Sequence, residues 1–169
     1  MKHVLLTLLL CFTGLIWSQN DQLASYYYDR GEFDKAITVY RELHEKSPTH
    51  PTYVIRLAEC FQQLEQYPQA HELLKRHYDR YKQASFLVEL GYNEQLQNQK
   101  AQADSFYQQA VARIAENPNE VYAVAQGLEK KGQLDLALQA YDLGPEVAHE
   151  AVQRTEAGLQ RPAVDHRVG

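Results

Sequence analysis

The segment "HELLKRH", His71 to His77, holds the residues best placed by type to bind a metal ion. A zincin helix needs its second histidine four places after the first, so that both imidazoles meet one ion from one face. Here that place is Lys75, an ammonium, and His77 is carried to another face. The spacing therefore predicts ordinary surface histidines. His149 has Glu146 and Glu150 within helical reach, but no nucleophile stands beside it. The chain has no Gly-rich phosphate loop, no G-x-S-x-G and no Cys-x-x-Cys. No catalytic residue, metal ligand or cofactor site is expected, and no small-molecule substrate.

The two cysteines, Cys11 and Cys60, make no disulfide framework. Cys11 lies in "MKHVLLTLLLCFTGLIWSQN", where Lys2 and His3 precede an apolar run of 14 residues from Val4 to Trp17. A membrane-spanning helix needs roughly 20 residues, a signal peptide about 7–15. Residues 1–18 are therefore expected to be a signal peptide with Ser18 at the cleavage site, or else an uncleaved anchor. Ile16 is a poor match at the third place before the cut. Membrane association is expected only through that segment, if it is kept. Cys60, beside Phe61 and between Leu57 and Leu64, is expected to be buried. The net charge of −5 is spread without runs of one sign, which argues against a nucleic-acid partner.

Positions for the residues between 19 and 144 are set by an internal repeat. "GEFDKAITVY" at 31–40 returns as "GQLDLALQAY" at 132–141, 101 residues later. A shift of 34 aligns Leu23-Ala24 with Leu57-Ala58 and Ala36 with Ala70; a shift of 33 carries these to Leu90-Gly91 and Ala103; a further 34 reaches Val124-Ala125 and Ala137. Each copy thus has a large apolar residue, a small one, and a second small one twelve places on. Small residues on two facing helices allow close approach of their axes. Between them, Gly31, Glu65, Asn98 and Gly132 occupy one equivalent turn position. Gly and Asn tolerate the left-handed conformation that ends a helix, so a less ideal turn is expected at Glu65. Pro48, Pro51 and Pro118 fall between copies. Helices are predicted at 21–30 with 33–46, 51–64 with 67–81, 84–97 with 100–116, and 118–131 with 134–143. The copies run 19–50, 51–83, 84–117 and 118–144.

The pattern resembles the tetratricopeptide repeat family: Leu23-Ala24-x2-Tyr27, Ala36, Tyr40, Pro48 in the first copy, with Leu57-Ala58-x2-Phe61 and Ala70 in the second. The third copy has Leu90-Gly91, Ala103 and Tyr107 but departs at Glu94, where an aromatic is expected; no copy has the family's Trp. The resemblance implies an all-α fold, a right-handed superhelical stack of antiparallel helix pairs with about four repeats, an α-solenoid. It also implies a concave face formed by the first helix of each pair, which holds a protein or peptide partner. Asp21 and Ser25 fall on that face with the candidate contacts Tyr28, Ile55, Glu59, Gln62, Val88, Tyr92, Gln95, Tyr122, Gln126 and Glu129. Some family members grip a C-terminal carboxylate there with Lys, Asn and Arg. Those places here hold Asp21, Ser25, Ile55, Glu59, Val88 and Tyr92, with only Arg56 basic nearby, so no such clamp is expected.

After Tyr141 the pattern breaks at Gly144-Pro145. Ala148, Val152, Thr155 and Leu159 form a weak apolar stripe. Residues 145–169 read either as a capping helix with a disordered tail or as the disrupted continuation of a longer array. The expected function is an exported scaffold of the periplasm or cell envelope that binds a protein or peptide without catalysis. The alternative is the N-terminal docking or sensor portion of a longer envelope repeat protein.

Overall fold

The computed structural model describes residues 20–144, so the signal-segment and capping-helix expectations lie outside the described residues. Eight α-helices follow one another there: α1 (20–29), α2 (Phe33–Lys46), α3 (Pro51–Gln63), α4 (Tyr67–Tyr81), α5 (Ser85–Leu96), α6 (Lys100–Arg113), α7 (Val121–Lys130) and α8 (134–144). There is no strand among the described residues. The predicted helix at 118–131 is divided: Pro118–Glu120 is a single 3-10 turn, and α7 starts after it. No described helix is long and apolar enough to cross a membrane.

Four turns join the helices in pairs, and all four have one geometry. Gly31, Glu65, Asn98 and Gly132 have φ of 72°, 57°, 60° and 76°. In each turn that residue's N–H donates to the carbonyl three back, and the next N–H donates to the carbonyl five back, as in Glu65 to Gln62 and Gln66 to Phe61. This is the six-to-one and five-to-two pattern that satisfies the last carbonyls of a helix. The less ideal turn expected at Glu65 keeps the common hydrogen-bond pattern, and the strain of a left-handed L-residue is carried by Glu65 itself.

Two compact units divide the described residues, one from 20–82 with 93–100 and the other from 83–92 with 101–144. In the first, Ala24, Ala36, Ile37, Tyr40, Leu43, Leu57 and Cys60 form one buried cluster, with Phe33, Phe61 and Leu64 packed against it. Leu23 departs from its packed equivalents: it is 39% exposed, while Leu57 is 3%. No described helix precedes α1 to cover it. In the second unit Gly91 lies against Tyr107 and Ala103, and Gly144 at the end of α8 lies against Val121 at the start of α7. The pair α7–α8 is therefore antiparallel. The small positions Ala24, Ala36, Ala58, Ala70, Ala103, Ala125 and Ala137 are all buried.

Candidate binding surfaces

The candidate contacts on the first helices separate by burial. Tyr122, Gln126 and Glu129 are exposed at i, i+4 and i+7 on α7, with Tyr122 at 70%. Gln95 is exposed. Tyr28, Ile55, Glu59 and Tyr92 are half-buried. The Arg56 guanidinium lies 4.9 Å from the Tyr28 ring centroid and 2.9 Å from Glu59 Oε2. Tyr28 also meets Phe33 edge-on at 5.7 Å. Burial, and then the Glu59 carboxylate, raise the Tyr28 phenol, so this tyrosine stays neutral. The surface therefore presents an aromatic ring already held under a cation.

Two of the expected contacts are corrected. Val88 is buried, and its side chain would meet a Cβ placed on Gly127 at 3.3 Å. Residues 86–91 are all buried, so that stretch of α5 has no open face. The signal was legible: "FLVELG" lacks the polar alternation of an amphipathic helix. Gln62 is buried as well, and its Nε2 donates to Asn93 Oδ1 at 3.4 Å.

Of the two histidines of "HELLKRH", His77 is corrected from a surface residue to a packed one, while the His71 side chain is 38% exposed, as expected. His77 is 7% exposed and meets His44 of α2 edge-on at 5.3 Å, with the Tyr81 ring centroid at 4.7 Å. Burial, then His44 and Arg80, push His77 down to about 4; burial also lowers His44. His71 Nδ1–H donates to Glu94 Oε1 at 2.7 Å. Among the described residues no three His, Cys, Asp or Glu side chains converge on a metal-sized site. Cys60 is fully buried, as expected, and burial pushes its thiol up to about 12.

The His71–Glu94 pair belongs to a site that the sequence reading missed. Where α2 meets α3, the packed residues are Phe33 and Ile37 with Cys60, Phe61 and Leu64. The repeat shifts carry these positions to Tyr67 and His71 on α4, and to Asn93, Glu94 and Gln97 at and just past the end of α5. An apolar junction in one place is a polar one in the next. Asn93 is fully buried, and its Nδ2 donates to the Tyr67 carbonyl at 3.3 Å. Gln97 Nε2 donates to the Asn93 carbonyl at 3.0 Å. Glu94 is 6% exposed. This junction opens into a groove of about 620 Å³ whose lining includes Tyr67, His71, Lys75, Asp79, Glu94 and Gln97. The departure at Glu94 is visible in the sequence, but its partner emerges only when Ile37 and Phe61 are carried forward together.

A model described as "Tetratricopeptide repeat" matches residues 27–88. Two solved structures resemble the chain: "Crystal structure of MamA", at 16% identity over 81% of each chain, and "Crystal structure of MamA protein", at 20% over 80% of this chain and 74% of that one. Both have a TM-score of 0.49. No curated protein matches the chain.

Proposed function

We propose, from the match of residues 27–88 to a tetratricopeptide repeat model, that the chain is an exported scaffold of the periplasm or cell envelope. It binds a protein or peptide through the exposed faces of its first helices and catalyses nothing. The repeats themselves suggest a protein-interaction scaffold. The single observation that carries the site is α7: Tyr122 stands 70% exposed with Gln126 and Glu129 on the same face. An aromatic ring presented on a rigid helix offers large contact area at little entropic cost. Tyr92, half-buried, extends the same reading to α5.

Crosslinking and pull-down of the mature chain from its native envelope identifies the partner. Tyr122→Ala should weaken binding of that partner by roughly 1–2 kcal/mol without lowering the melting temperature; Tyr92→Ala should weaken it similarly but also cost some stability, because its ring lies 4.2 Å from Lys131 Nζ. Wild-type affinity in both variants would move the site off the first helices. For export, mass spectrometry of the native protein should find a new N-terminus near Gln19; an intact Met1 on membrane-bound protein would refute cleavage.

One observation bears on the outer face of the last described helix. Leu134 and Leu138 on α8 are 59% and 63% exposed. Their first-copy equivalents, Phe33 and Ile37, are packed against the cluster that α3 completes. The outer face of α8 is thus built like one that receives another helix, whether a cap from the residues after 144 or further repeats.

A further inference from the structure

We infer that the groove between α4 and the end of α5 is a binding site for an arginine side chain presented by a peptide, with Glu94 as its anion and Tyr67 as its aromatic wall. The inference concerns a different surface from the first-helix faces and does not depend on them.

The polarity of the junction is the first observation. The same chain builds the equivalent contact from Ile37, Cys60, Phe61 and Leu64, all apolar. The fold therefore does not require His71, Asn93, Glu94 and Gln97 there. A carboxylate that is 6% exposed carries a desolvation cost which an apolar contact avoids. Such a group is explained when it serves something that the packing does not.

Charge supplies the second. Lys75 and Arg76 also line the groove, but each is engaged one turn away on its own helix: Lys75 Nζ to Asp79 at 2.6 Å, and Arg76 Nη2 to Glu72 at 2.5 Å. These pairs are exposed and cancel locally. At the floor, Glu94 is held by an imidazole alone, through Oε1. The floor is therefore the anionic part of the groove, and the His71 bond fixes the carboxylate in place.

Shape selects among cations. Tyr67 and Pro68 give one wall an apolar, partly aromatic surface. A guanidinium is planar, weakly hydrated and stacks on rings while its edge pairs with a carboxylate; an ammonium is a compact, strongly hydrated point. A confined carboxylate beside a ring suits the guanidinium. An acidic peptide would meet Glu94, Glu72 and Asp79 instead.

The test uses the folded chain and four capped pentapeptides, alanine at every position except the centre, which carries Arg, Lys, citrulline or Glu. Two-dimensional NMR of the labelled protein reads binding at the Gln97 side-chain amide and the His71 ring. The arginine peptide should shift these signals saturably, lysine should bind more weakly, and citrulline and glutamate should leave them unmoved. Glu94→Gln should weaken arginine binding about ten-fold. The double variant His71→Ile, Glu94→Phe recreates the apolar junction; it should stay folded by circular dichroism and lose the binding altogether. The proposal is overturned if the glutamate or citrulline peptide binds as well as arginine. It is equally overturned if arginine shifts are absent, map elsewhere, are not weakened by Glu94→Gln, or survive the double variant. A silent groove with intact binding at Tyr92 and Tyr122 would sink this inference and leave the scaffold reading standing.

Discussion

Gly91 of α5 lies so close to Tyr107 of α6 that a Cβ built on it would stand 2.6 and 2.7 Å from two ring carbons and 3.1 Å from the Ala103 carbonyl oxygen. Tyr107 is fully buried, so its ring has nowhere to retreat. Gly91→Ala should therefore destabilise the protein by about 1–3 kcal/mol, despite the better helix propensity of alanine. In the Tyr107→Leu background the same change should cost much less. Equal penalties in both backgrounds, measured by denaturant unfolding, would show that the ring is not the obstacle.

Glu65 should respond in the opposite direction. It holds φ of 57° in a turn whose equivalents are Gly31, Asn98 and Gly132. The left-handed conformation costs an L-residue about 1–2 kcal/mol. Glu65→Gly should stabilise the protein by roughly 1 kcal/mol, less than the full strain because glycine gains freedom in the unfolded chain. Glu65→Ala should give no such gain. An unchanged or lower melting temperature for the glycine variant would contradict the strain assigned to this turn.

The His44–His77 pair predicts a pH dependence. Both imidazoles are depressed below their ordinary value, His77 to about 4, chiefly by burial. Between that value and roughly 6.5 the unfolded chain binds a proton that the folded chain refuses. Stability is then full above about pH 6.5 and falls as the pH drops toward 4, by roughly 2–3 kcal/mol for His77. Glu45 opposes the shift at His44, while Arg76 there and Arg80 at His77 reinforce it. Urea unfolding at pH 7 and pH 5 should show a smaller difference in His77→Gln than in wild type. Identical pH slopes would remove the histidines as its source.

Lys131 and Glu89 make a buried pair, Nζ to Oε2 at 3.0 Å, with the ammonium 4.2 Å from the Tyr92 ring centroid. Their side chains are 10% and 9% exposed. Lys131→Met leaves a buried carboxylate without that cation and should cost about 3 kcal/mol. Adding Glu89→Gln should recover part of the loss. A single-variant cost below about 1 kcal/mol would mean that Glu89 is satisfied without the lysine.

What the amino-acid sequence determined by itself was local and periodic. The repeat placed the helices to within a few residues, the left-handed turn positions at 31, 65, 98 and 132, and the small residues that let paired helices meet. Each follows from spacing within one helix or from the backbone tolerance of one residue. Tertiary structure alone decided which faces remain open. Gln62 has the spacing of an outward residue, yet a neighbouring helix buries it against Asn93; His77 is buried by packing with His44, 33 positions away. The polar junction of His71, Asn93 and Glu94 was of the same kind. His71 and Glu94 each stand out singly in the sequence, one by type and one as a departure from the repeat, but their meaning lies in each other, on separate helices. Burial is a property of what lies opposite, which helical periodicity does not specify.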